Sequence, residues 1–239
     1  MMPAIRWFLL LLSPLLVMRI ASNGVCFGAD IPEKVQEELD RGKKRFDSEF
    51  KEANETLLGS FDKKMKITRA VPKLSAEEKQ HSISTIEAEK SVFETTGHVP
   101  FSSPMLTETI EYLNKVQKAE MALAKIYDRA IEAQTKQKND ELARELVADK
   151  KMALEPKIVA KWTTTKIGTV SLLSNGKVAG FESTVSWTLD QREFVTKWKN
   201  KDAPGGFWIN TCVISDDGAT FEAKNQVGFK YSGTRLIAE

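Results

Sequence analysis

Between Asp30 and about Ile158 the apolar residues recur every three or four positions. Val35, Leu39, Phe46, Phe50, Ala53, Leu57, Phe61 and Met65 step by 4, 7, 4, 3, 4, 4 and 4. Such steps lay them along one stripe of a long helix and leave charged residues on the rest of its surface. Gly42 and Gly59 interrupt the pattern, and Pro72 closes it. Ser75-Ala-Glu-Glu78 is a capping box that opens a second helix. Its inward residues are Ile83, Ile86 and Phe93, and it ends near Gly97. After the loop 97–103, Pro104 suits the first turn of a third helix, which carries Ile110, Leu113, Ala119, Leu123, Ile126, Ala130 and Ala133 and runs to about Lys138. Asn139 or Asp140 caps a fourth, with Leu142, Leu146 and Leu154 inward, which stops before Pro156.

A faint repeat runs through this half. Phe61-Asp-Lys-Lys64 is answered by Tyr127-Asp-Arg-Ala130, and Ile86-Glu-Ala-Glu-Lys90 by Leu146-Val-Ala-Asp-Lys150, at offsets of 66 and 60. Two helical hairpins, each burying its stripe against the other in a coiled-coil-like antiparallel bundle, account for both the repeat and the charged outer faces. The prolines break the heptads and argue against one extended coiled coil.

After Ile158 the period changes. The four tryptophans Trp162, Trp187, Trp198 and Trp208 and eight of the 13 glycines lie here. Strands are expected over about 169–173, 177–181, 184–188, 192–198, 207–215, 219–223 and 227–231. Asn175-Gly176 and Asp217-Gly218 are the strongest hairpin signals. Connections too short for crossovers make this half an antiparallel β-meander, either a curled sheet or a small barrel. The chain is therefore expected to be α+β, with a helical hairpin domain over 30–158 and an antiparallel β domain over 159–239.

The first residues have a different character. One positive charge at Arg6 precedes an apolar run from Trp7 to Met18, only 12 residues long. That is the layout of a secretory signal peptide and is short of the ~20 residues of a membrane-spanning helix. Residues 1–29 are read as that signal, with cleavage between 21 and 29, and the product as exported, periplasmic or secreted. No transmembrane segment is expected in the mature chain. Cys26 offers a minor alternative, a lipid anchor, although Asn23-Gly24-Val25 fits such a site poorly. A retained Cys26 could instead pair with Cys212, the only other cysteine.

Composition adds exclusions. The whole chain has 35 Lys+Arg against 33 Asp+Glu. Both excess charges are Arg6 and Arg19, so residues 30–239 are neutral on average and give no electrostatic case for nucleic acid or for an anionic membrane surface. With only His81 and His98 beside the two cysteines, no Cys/His metal cluster, and no cofactor, is expected.

Candidate chemistry is sparse. Asp216, Asp217 and Glu222 are the one close carboxylate group in the β half, and Asp216 with Glu222 could act as a hydrolase acid/base pair on exported polymers. Asp-Asp-Gly is equally ordinary turn chemistry. Neither histidine has a Ser or Cys partner at motif spacing. Period-2 counting puts Trp187 with Val185 and Leu189, and Trp198 with Phe194, on inward faces. Trp208 alternates with Asn210 and Cys212, opposite Phe207, Ile209 and Val213, and is the tryptophan expected to be exposed. Trp208, Asn210, Asn225, Gln226 and Arg235 are the candidate ligand-binding residues. A small barrel holding an apolar ligand is a third alternative. The sequon Asn54-Glu-Thr56 falls in mid-helix and is discounted.

Ile86 to Phe93, Thr96-Gly-His-Val-Pro100, Ser103-Pro104 and the hairpin from Tyr127 to Lys150 resemble a group of uncharacterised exported bacterial proteins. Trp208, Ile214 to Gly218, Phe221-Glu222, Asn225-Gln226, Gly228 and Gly233-Thr-Arg235 resemble the segment that closes their Trp-rich β modules. The resemblance implies export and this two-part architecture. Together these features point to a non-enzymatic interaction protein, in which a helical spacer that can self-associate carries a β module for a carbohydrate or envelope component.

Overall fold

The computed structural model describes residues 31–237; the expected signal segment, its expected cleavage site and Cys26 lie outside the described residues. Four helices, α1 (Glu33–Ala70), α2 (Ala76–Thr96), α3 (Leu106–Lys136) and α4 (Asp140–Ala153), precede seven strands. The helix ends follow local chemistry. Val71, ahead of Pro72, turns extended, as steric conflict with the proline ring requires. Ser75 and Glu78 form the reciprocal capping box, and Gly97 ends α2 at φ +73°. Pro104 falls in a short 3-10 turn at Ser103–Met105 that leads into α3. The Asn139 side chain accepts from the Leu142 N–H and starts α4.

The two hairpins are equivalent by the repeat. Phe61 and its counterpart Tyr127 are both fully buried, as are Ile86 and Leu146. In one hairpin Lys90 reaches Asp62 at 2.8 Å, and in the other Lys150 reaches Asp128 at 2.6 Å. Exposed pairs of this kind contribute about 0–1 kcal/mol, so they mark the repeat more than they stabilise it. The long helices α1 and α3 run antiparallel through the middle, with Lys64 on Glu108 and Tyr112 on Asn54 toward one end. At the other end Gly42 lets α3 come close, since a Cβ there would stand 2.7 Å from the Ile126 side chain. The α1 stripe is thus spent on α3 within the molecule.

Strands β1 (Ile158–Thr164), β2 (Gly168–Leu173), β3 (Val185–Asp190), β4 (Glu193–Lys199), β5 (Phe207–Ile214), β6 (Thr220–Asn225) and β7 (Lys230–Arg235) form one antiparallel sheet ordered β2-β1-β7-β6-β5-β4-β3. Its two edges are joined by single bridges, Leu172 to Val178 and Lys177 to Ser186. The sheet is therefore a nearly closed barrel, which removes most of the exposed edge.

Seven strands were expected and seven form, with one exchange. Residues 158–164, which carry Trp162, make β1, whereas 177–181 contribute only the closing bridges. The last strand begins at Lys230 because Gly228 adopts φ +87° and turns the chain.

The barrel is filled. Trp162 packs against Phe194 and Phe221, with ring centroids 5.7 and 5.2 Å apart. From the helical side Phe101 closes one end, edge-on to Trp162 at 5.5 Å. The pocket left among Trp162, Phe194, Thr196, Phe221 and Tyr231 measures about 10 Å³, room for one water at most and too small for an apolar ligand. Side chains of α1, α2, α3, the 97–105 loop and the barrel belong to one continuous core. The halves on either side of residue 158 are thereby packed into one body. A smaller cluster around Leu39, Leu123, Tyr127, Leu142 and Leu146 holds the far hairpin.

Candidate functional site

The five residues singled out for ligand binding fall in three places. Arg235 leaves the β surface altogether. Its Nη1 donates to Glu89 Oε1 at 2.8 Å, its Nη2 donates to the Val99 carbonyl, and the guanidinium lies 5.2 Å from the Phe101 ring centre. The two side chains of the pair are only 3% and 6% exposed. Glu89 also accepts from the Phe101 and Ser102 N–H groups and the Ser102 hydroxyl. Sequence could not place Glu89 here, because on a charge-rich helix it looks like any solvated glutamate. His98 is buried beside this pair, and burial, with the nearby charges of Arg235 and Lys161, holds its pKa below the usual value.

Asn210 is also buried, donating to Thr196 Oγ1 at 3.2 Å inside the barrel. Trp208 shares its face and is half-buried, directly opposite Trp198. Residues paired across neighbouring strands share a face, so an inward Trp198 carries Trp208 inward. The outward residues of β5 are Phe207, Ile209 and Val213, so Trp208, the tryptophan expected to be exposed, lies on the inward face instead.

Asn225 and Gln226 build the β6–β7 turn. Asn225 Oδ1 accepts from the Val227 and Phe229 N–H groups. The Gln226 amide donates to the Phe207 carbonyl at 2.7 Å and accepts from the Ile209 N–H at 2.8 Å. It acts as one more peptide unit beyond the end of β6 and fixes the hairpin tip beside the start of β5.

The carboxylates do not converge in a cleft. The Asp216 side chain is 81% exposed and meets Arg192 at 2.9 Å. Asp217 accepts from the Ser215 hydroxyl and the Ala219 N–H, and those bonds lower its pKa. Glu222 points outward from β6, opposite Val213. This is the bonding of a tight turn and an exposed strand face, and it leaves no place for a substrate between two acids.

A different surface comes out of the fold. The end of the barrel away from Phe101 is ringed by the β6–β7 tip, the start of β5 and the 180–184 loop. Phe207 (41% exposed), Ile209 (38%), Val227 (59%), Phe229 (49%) and Phe181 (46%) stand there in solvent. Phe181 rests on Trp198 at 5.4 Å, and Phe229 lies 6.2 Å from Tyr231. Lys197 is paired across the strands with Ile209, Lys199 with Phe207, and Lys224 with Lys230. All four lysines are exposed, and none has a carboxylate partner among the described residues. A shallow groove of about 530 Å³ runs down the wall from Gln226 past Ile209 and Lys224 to Val213 and Glu222.

The chain matches no protein-family model, no curated protein and no solved structure. No helix among the described residues is long and apolar enough to cross a membrane.

Proposed function

We propose that the protein is exported and acts as a non-enzymatic interaction protein, in which the helical hairpins serve as a spacer and the β module binds a carbohydrate or envelope component at its free rim. One observation carries this reading: the barrel interior is full, while five large apolar side chains stand in solvent at a single end of it. Monomeric proteins rarely leave such a cluster uncovered without a binding role. The signal-like segment at Trp7 to Met18 supports export.

Two measurements test it. Intact mass of the protein recovered outside the cytoplasm should show loss of residues up to a point between 21 and 29. Protein lacking residues 1–29, confirmed as folded, should be retained by at least one of a glycan array, envelope polysaccharide or envelope lipid. Retention by none of them would refute the binding role.

A further inference from the structure

We infer that the free rim of the barrel docks on an anionic phospholipid surface. This deepens the reading above by naming the envelope component, and it rests on that reading. Two features of the rim coincide. The apolar side chains protrude from two places held together: Phe207 and Ile209 on β5, and Val227 and Phe229 on the hairpin that Gln226 ties to those same two residues. Side chains gathered at one end of the barrel can enter the interface together, as amphipathic surfaces do.

The second feature is charge. Residues 30–239 are neutral overall, but the rim is not. Lys197, Lys199, Lys224 and Lys230 surround the apolar group, while Glu193 and Glu222 flank Val213 farther down the wall. Glu182 and Asp202 are the acidic residues of the adjoining loops, and the Glu182 carboxylate is already bonded to the Gly180 N–H. A ring of unpaired lysines around protruding Phe, Ile and Val complements anionic headgroups over acyl chains. Each lysine near such a surface contributes about fivefold in affinity. A neutral glycan would leave the lysines without a role.

Protein lacking residues 1–29, so that the apolar leader cannot itself insert, is sedimented with vesicles of phosphatidylcholine alone and of an equimolar phosphatidylcholine–phosphatidylglycerol mixture. Binding is expected on the anionic vesicles only, falling as salt is added. K199Q/K224Q should weaken it about 25-fold and V227S/F229S about tenfold or more, both with unchanged thermal unfolding. V147S, which removes an exposed apolar side chain on α4, should bind as the unaltered protein does. Equal binding to both vesicle types, or rim variants that bind normally, would overturn the inference. No vesicle binding alongside retention on a glycan would overturn it and leave the interaction role standing; no binding to anything would remove both.

Discussion

Arg235 and Glu89 stand 146 residues apart in the chain and meet at 2.8 Å in the core, one on the last strand and the other on the second helix. Glu89 gathers four donors there, so its loss strands a buried cation and three polar groups at once. Removing one partner of a buried pair costs about 3–5 kcal/mol. E89A is expected in that range by urea denaturation, and E89Q, which keeps one acceptor oxygen, well below it. The double variant E89M/R235M should be less destabilised than the sum of E89M and R235M. An additive cycle would mean that the pair does not act as a unit.

Gly218 sets how closely the β5–β6 turn approaches the 97–105 loop. Its φ is +71°, and a Cβ would lie 2.5 Å from Phe101 C and Ser102 N, both backbone atoms. Gly205 has nearly the same φ, +68°, with nothing within 4 Å. G205A should therefore cost only the left-handed penalty of about 1 kcal/mol. G218A should cost about 3 kcal/mol or more, since the loop must also back away. Equal unfolding midpoints for the two variants would contradict the close approach.

Cys212 faces the barrel interior with its sulfur 3.9 Å from the Tyr231 hydroxyl, and burial pushes its pKa up to about 12. A protonated, enclosed thiol is a poor nucleophile. Labelling at Cys212, followed by mass spectrometry, should be negligible in the native protein and rise with denaturant along the global unfolding curve. Rapid labelling under native conditions would show that the barrel opens locally.

His98 makes the junction sensitive to acid. Its pKa in the fold lies below the ordinary 6.5, chiefly through burial and then through Arg235 and Lys161. The unfolded chain thus accepts a proton that the folded protein refuses. Its share of stability is complete above the unfolded value and declines as pH falls through 6.5 toward the folded one. Unfolding midpoints measured between about pH 8 and pH 5 should fall more for the parent than for H98N, which cannot take up the proton. Parallel curves would remove His98 from the acid response.

The helical half was legible because its signals are local. The stripe, the Ser75–Glu78 box, Gly97, Asn139 and the repeat all act within a few residues of themselves, and each sits where it was expected. The barrel half was legible in class, in strand number and in the facing of β3 and β4, where Trp187, Phe194 and Trp198 turn inward as the alternation predicts, but not in the facing of β5. Trp208 and Ile209 both belong inside by hydrophobicity, and only the register opposite Trp198 decides between them. The same limit applies to Arg235 and Gln226. Their polar groups signalled chemistry, yet they satisfy partners at distant positions, Glu89 in one case and the backbone of β5 in the other. The carboxylates at 216, 217 and 222 proved to be turn and surface chemistry, the alternative their sequence context already offered.

The place of β7 between β1 and β6 has a consequence for biogenesis. Neither the ladder that joins β1 to β6 nor the Glu89 lock can form until Arg235 has been synthesised, because both need β7. Helices α1 to α4 can gather early from local contacts, but the Glu89 carboxylate waits for a partner 146 residues further along the chain. Until then only the single bridges at Leu172–Val178 and Lys177–Ser186 link β1 and β2 to the rest of the sheet. Addition of β7 is the event that converts the open sheet into the closed form.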